Sequence, residues 1–178
     1  MGCHYDYEKR YPEVRGHYKT KPPSKWADTE RKIRLINSYD NAMNYHDSVV
    51  NDLLTVFSRY SEAKNKTASL LFLSDHGEEV FDNRDFIGHG YPPSKLMSEI
   101  PFFVYLSPFF KKNYETEAEM IQKRVNTPYS AQNNFYTLLQ LLNIHSKKED
   151  QLERNAFFSA RYDSASPRYV MGKEYKSL

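Results

Sequence analysis

The sequence has little of what usually places a protein at once. It holds a single cysteine, Cys3, in 178 residues, which excludes an internal disulfide framework and removes cysteine usage as a guide to redox compartment. Adjacency to His4 does not make that thiol half of a catalytic dyad. No run of about 18 apolar residues occurs, and Met1 is not followed by a basic segment, an apolar stretch and a small-residue cleavage site. The expectation is a chain with no membrane anchor or export signal of its own. Charge of one sign is also missing: 25 Lys and Arg stand against 23 Asp and Glu, a formal net of +2, with the bases scattered among the acids. Nucleic acid is therefore not an expected partner. No internal repeat or low-complexity tract is present.

What is there belongs to an ordinary folded domain. A hydrophobic share of 39% with 27% charged residues excludes disorder throughout, and the length suits one domain, 1–178, rather than two. Aromatic residues are abundant at 15%, with 15 tyrosines. Residues 1–28 hold Pro12, Pro22 and Pro23 without helical periodicity and are expected to form an ordered loop. From Thr29 onward Ile33, Ile36, Tyr39, Met43, Val50, Leu53, Val56, Phe57 and Tyr60 recur at three- and four-residue spacing, predicting a long amphipathic helix.

Residues 69–74 form a short apolar run that ends abruptly in Asp75-His76-Gly77-Glu78. It reads as a strand of the kind buried on both faces in a parallel sheet. Residues 100–106 form a second such run, bounded by Pro101 and Pro108. A helix is predicted over 128–142, with Pro128 at its start. A short strand is predicted over 155–162, and residues 163–178 read as a flexible tail. Asn65-Lys66-Thr67 matches a glycosylation sequon, a pattern common by chance.

In open α/β sheets ligands bind beyond the carboxyl ends of strands, where Asp75 and His76 sit. A carboxylate and an imidazole suit zinc, with Gly77 permitting a sharp reversal of the chain and Glu78 placed to orient a ligand from behind. The alternative is that Asp75 caps a turn and His76 is a half-buried polar residue with a satisfied hydrogen bond. His89, between Gly88 and Gly90, has little reason to be a packing residue. Flanking glycines let backbone come close to a ligand. His4 also adjoins a glycine, near Tyr7, Arg10 and Tyr11. His17, His46 and His145 have no comparable setting.

Taken in order, Gly2-Cys3-His4, Arg10-Tyr11-Pro12, Ser38-Tyr39-Asp40-Asn41 with Asp47, Leu73-Ser74-Asp75-His76-Gly77-Glu78, Gly88-His89-Gly90 and Ile100-Pro101-Phe102-Phe103-Val104 resemble the phosphoethanolamine transferases of the alkaline phosphatase and sulfatase superfamily. The match runs over roughly residues 1–145. It implies an α/β fold, an alkaline phosphatase-like three-layer sandwich with a mostly parallel sheet, present here as its C-terminal part.

It also implies a zinc enzyme that moves phosphoethanolamine from phosphatidylethanolamine to lipid A or a lipopolysaccharide core sugar through a phospho-threonine intermediate. Asp75 and His76 match ligands of the main zinc. His4 and His89 match histidines that line the phosphate side, act in catalysis and help hold a second zinc, with Glu78 in support. The family's location, the periplasmic face of the bacterial inner membrane, is inherited with the resemblance, as is attachment through an N-terminal membrane domain that this chain lacks.

The family's threonine nucleophile and its other acidic zinc ligand lie upstream of the segment matched by Met1, so no nucleophile is assigned in this chain. On its own the chain is expected to bind zinc weakly, to turn over poorly and to self-associate through exposed sheet surface. Two alternatives stand beside this reading. One is a sulfatase or another phospho-transferase of the same superfamily, and the other is a non-catalytic remnant used in binding or assembly. Tyr91, Pro92 and Pro93 are expected at the rim of the pocket.

Overall fold

The structure is a computed structural model that describes residues 6–13, 18–20, 22–145 and 147–178. The expectations for Cys3, His4 and His17 lie outside the described residues. In chain order the principal elements are α1 (Glu30–Ala63), β1 (Ser69–Leu73), β2 (Glu79–Val80), β3 (Ile87–Gly88), α2 (Lys95–Ser98), β4 (Phe102–Leu106), α3 (Pro108–Asn113), α4 (Glu115–Lys123), α5 (Asn134–Leu141), α6 (Glu149–Asn155), β5 (Tyr169–Val170) and β6 (Lys173–Glu174). None of the described helices is long and apolar enough to cross a membrane.

The predicted long helix is α1, and it runs unbroken for 34 residues. Thr29 caps it, its hydroxyl accepting from the Lys32 amide at 3.3 Å. Its far end closes in a paired-bond turn: Asn65 takes a left-handed φ of 51°, its amide donates to Glu62 O at 3.0 Å, and the Lys66 amide donates to Ser61 O at 2.7 Å.

The chain divides into two compact units. The first comprises Met1–Phe57, His76–Ile100 and Leu178. Its core gathers Ala27, Ile36, Val80 and Phe81, with Trp26, Ile33, Leu35, Tyr39 and Ile87 packed against it. The inward face of α1 also carries buried Asn37, Ser38 and Asn41, which helical periodicity alone marks as misplaced. The two asparagines hold the proline-rich opening segment by its backbone. Asn37 Nδ2 donates to Thr20 O at 3.0 Å. The Asn41 amide accepts from Tyr18 N at 2.8 Å and donates to Tyr18 O at 3.1 Å. Here the helix supplies the hydrogen bonds that a neighbouring strand otherwise gives extended chain. The described part of the opening segment is accordingly an ordered loop, with a short 3-10 turn at Tyr7–Lys9.

The second unit comprises Ser58–Asp75 and Pro101–Ser177. Both apolar runs are strands, but β1 and β4 pair antiparallel, with Leu71 opposite Val104 and Phe72 opposite Phe103. The parallel-sheet setting expected of such runs does not hold for this pair, and burial on both faces is corrected: nearly all residues of both strands are half-buried. A two-stranded sheet has no central strand to be fully covered. Ser107, with no exposed surface, joins its ends: the hydroxyl accepts from the Ala68 and Phe110 amides at 3.0 and 3.1 Å and donates to Lys66 O at 2.8 Å. Its core is aromatic, with Phe157, Phe158 and Tyr162 against Phe102, Val104, Ile121, Tyr129 and Leu141, each buried side chain contributing about 1.5–3 kcal/mol.

The C-terminal expectations need revision. The helix predicted from Pro128 begins only at Asn134, after a 3-10 turn at Ala131–Asn133, because Tyr129 and Pro128 serve the aromatic core instead: the Tyr129 ring lies 4.6 Å from that of Phe157, and Pro128 O accepts from Tyr162 OH at 3.0 Å. Burial holds the Tyr129 phenol at a pKa of about 12. Residues 155–162 are not a strand. Asn155 ends α6 and residues 156–162 follow it as turns and bends, since Phe157 and Phe158 both point into the core where a strand sends neighbours to opposite faces. The segment expected as a tail contains the β5–β6 hairpin, with Tyr169 opposite Glu174, and a closing 3-10 turn at Tyr175–Ser177.

Two predictions follow from these packings. Fully buried Thr137 accepts from the Phe157 amide at 3.1 Å and donates to Asn133 O at 3.1 Å. Thr137→Val strands that buried amide and is expected to cost about 1–3 kcal/mol, read as a lowered urea midpoint. At Asp40, burial first and the Asp82 carboxylate second raise the pKa above the ordinary carboxylate value. Folding thus favours the protonated form, so ionised Asp40 costs stability from the ordinary Asp range upward. Asp40→Asn is expected to raise Tm by about 1–2 °C at pH 7, the gain disappearing by about pH 3.

Candidate metal centre

Residues 76–79 and 87–90 of the first unit form the site. The chain leaves β1 at Leu73 and reaches His76 three residues later. There the Gly77 amide donates to Met97 O at 2.9 Å, and a Cβ on Gly77 would sit 2.1 Å from Leu96 O. Gly77 is thus required for close approach to α2, and the sharp reversal expected from its sequence context is not its principal role.

This contact holds His76 and Glu78 on either side of a backbone pressed against α2. The hairpin of β2 and β3 then returns the chain, with Glu79 opposite Gly88 and Val80 opposite Ile87, so that His89 comes back to Glu78. Gly88 has φ 106°, with nothing within 4 Å of where its Cβ would lie. The left-handed conformation, and not shortage of space, calls for glycine beside His89.

One possible ligand atom from each of His76, Glu78 and His89 lies within 4.8 Å of the others. The imidazole centroids of His76 and His89 are 3.9 Å apart, and His89 Nδ1 lies 3.4 Å from Glu78 Oε1. That separation matches the roughly 3.4 Å edge of a tetrahedron drawn with zinc–ligand bonds of about 2.1 Å.

The supporting contacts suit a cation. His76 Nδ1 lies 3.0 Å from Gly77 O; donation to that carbonyl leaves the Nε2 lone pair for a ligand. The Glu78 side chain is only 8% exposed, and the hydroxyl of buried Tyr7 donates to its Oε2. Two imidazoles and a nearly buried carboxylate are a donor set for zinc or a similar transition metal.

The structure thus brings together His76, His89 and Glu78. The carboxylate expected to orient a ligand from behind stands level with the two rings. Asp75, the residue before His76, is exposed and is not in this group. Tyr91 is 72% exposed and Pro93 is buried. Sequence reasoning named Tyr7 only as a neighbour of His4, without its partner Glu78, and it missed the ion pair of Glu79 and Arg84, 3.0 Å from Oε2 to Nε. Two consecutive acids before a glycine-flanked histidine were the available signal.

Residues 1–144 match the sulfatase family, and the chain belongs to it. Within that family it is similar to phosphoethanolamine transferases. It is 30% identical over 145 residues to phosphoethanolamine transferase EptA of Escherichia coli (strain K12), covering 79% of this chain and 26% of that protein. It is 35% identical over 114 residues to EptC of the same strain, covering 60% of this chain and 18% of that protein. The chain thus spans about a quarter or less of the length of these relatives. The crystal structure of the C-terminal periplasmic domain of phosphoethanolamine transferase EptC from Campylobacter jejuni superposes with a TM-score of 0.68 at 23% identity, over 91% of this chain and 50% of that one. The fold is accordingly that of a partial α/β domain of the sulfatase and alkaline phosphatase type.

Removing the Tyr7 hydroxyl tests the supporting contacts. If the three donors bind zinc, Tyr7→Phe weakens that binding about 10-fold with little change in Tm, because the hydroxyl orients Glu78. Isothermal titration in a metal buffer measures it, and unchanged affinity would separate Glu78 from the centre.

Proposed function

We propose that this chain contributes His76, Glu78 and His89 to a zinc centre of an enzyme that transfers phosphoethanolamine from phosphatidylethanolamine to lipid A or a lipopolysaccharide core sugar. The convergence of those three donors carries the reading. Membership of the sulfatase family supports it, as does similarity to EptA, to EptC and to the Kdo(2)-lipid A phosphoethanolamine 7''-transferase of Salmonella typhimurium, 30% identical over 110 residues. Asp75 and His4 are further ligands that the family resemblance implies.

Bound zinc would stabilise charge on phosphate oxygens and lower the pKa of the threonine nucleophile. In this reading that threonine, which becomes the phospho-enzyme, comes from outside the segment matched here. Each residue of the chain has its own task. His76, oriented through Gly77 O, presents Nε2. Glu78, held by Tyr7, supplies negative charge in a nearly buried position. His89, with its side chain 29% exposed, is open enough to meet a phosphate oxygen or hold a proton at a ring nitrogen. The periplasmic face of the inner membrane, where both lipids are accessible, is the proposed location.

The chain alone is proposed to bind zinc weakly and to turn over poorly. Self-association belongs to the same reading. The surface that supports it is helical and not the sheet surface expected from the sequence: Phe135, Leu138 and Leu142 are 64%, 45% and 66% exposed at helical spacing on and just after α5.

Zinc content and affinity under metal-buffered conditions test the centre. The expected result is weak binding of about one equivalent, reduced at least 10-fold in His76→Ala and in His89→Ala. Absence of zinc from the wild-type chain at saturating free metal would refute the chain's own part in the centre. The transfer itself is read as phosphoethanolamine-modified lipid A by mass spectrometry, with the full-length transferase carrying the same substitutions expected to lose the product.

A further inference from the structure

Glu78, the residue before β2, faces the two histidines, while Glu79, the first residue of β2, pairs with Arg84 instead. Glu79 has no exposed surface. One of its oxygens accepts from Arg84 Nε at 3.0 Å, while the other, Oε1, has no hydrogen-bond partner among the described residues. A buried carboxylate so incompletely paired returns little net stability, because desolvation offsets the attraction to its partner. What such a pair does supply is a defined position for the segments it joins.

Those segments enclose His89. Glu79 is the ladder partner of Gly88. From Nη2 the same guanidinium donates to Pro92 O at 2.9 Å, three residues beyond His89, and its carbon lies 4.5 Å from the Phe86 ring centroid. Arg84 therefore ties the strand before the turn to the backbone after it. His89 itself lies between Gly88 at φ 106° and Gly90 at φ 154°, and no atom lies within 4 Å of a Cβ built on either. Its neighbours impose little steric restraint, so contacts outside the tripeptide must set where its ring stands.

We infer that Arg84, anchored on buried Glu79, is a positioning residue that holds the loop carrying His89 so that its imidazole meets His76 and Glu78. The inference rests on the proposed reading of these three residues as a zinc centre, and its test separates the two. Arg84→Gln alone would leave the Glu79 charge buried and unpaired, confusing position with folding. Arg84→Lys keeps the charge but replaces the planar fork by a single ammonium, and the double variant E79Q/R84Q removes both charges together.

In each variant two quantities are read on the chain: zinc affinity under metal-buffered conditions, and the NMR cross-peak of the His89 imidazole Cε1–H in the metal-free protein, assigned with His89→Gln. The expected result is a folded chain with Tm within a few degrees of wild type, a shifted or broadened His89 resonance and zinc affinity at least 10-fold weaker. Folded variants with a wild-type His89 resonance and affinity would overturn the inference. So would loss of folding in both, which would make the pair simply structural. If wild-type chain binds no zinc, the proposed centre falls. The resonance alone then decides the role of Arg84: movement supports it, and no movement ends it.

Discussion

The site depends on a contact that only a missing side chain allows. Gly77 lies against the end of α2 with its amide on Met97 O, and even one carbon added at its Cα would fall 2.1 Å from Leu96 O. Backbone pinned this way cannot rotate freely, so the residues on either side, His76 and Glu78, leave it in directions set by α2. The hairpin that follows needs that fixed starting direction, because β2 and β3 are two residues each and a ladder so short has little capacity to correct its own course.

The first unit holds several acids with limited exposure, each in a different electrostatic setting. Glu78 accepts from the Tyr7 hydroxyl and faces two imidazoles. Glu79, on the other side of the strand, has Arg84. Asp40 has the Asp82 carboxylate as neighbour, and its pKa rises. A nearly buried carboxylate beside two imidazoles is costly in an empty protein and favourable beside a cation. That asymmetry is the physical argument for a metal centre in this part of the molecule.

Much of the architecture was legible locally. The three- and four-residue spacing from Ile33 to Tyr60 is α1, and the two apolar runs are β1 and β4. Their direction was not legible, because a short apolar run reads the same in a parallel and an antiparallel pair. The start of α5 was missed because a proline at a favourable helix position counted for more than the demand of the aromatic core for Pro128 and Tyr129. The same core explains why residues 157–158 are a turn, with two adjacent phenylalanines buried together. Asn37 and Asn41 are the partners of the opening segment, a role that helical periodicity does not show.

By itself the sequence determined which residues could serve as donors and their order: Asp75, His76, Glu78 and His89 with the glycines around them, carried on short strands and turns after a long helix. It determined these because residue chemistry and local periodicity are properties of neighbours along the chain. Only the tertiary structure decided that Glu78 stands level with His76 and His89, that Tyr7 serves it from 71 positions away, and that Glu79 is buried against Arg84. Glu78 and Glu79 are adjacent and yet diverge, and which of the two meets the histidines depends on how the hairpin packs. That is set by contacts between segments distant in sequence, which no local pattern contains.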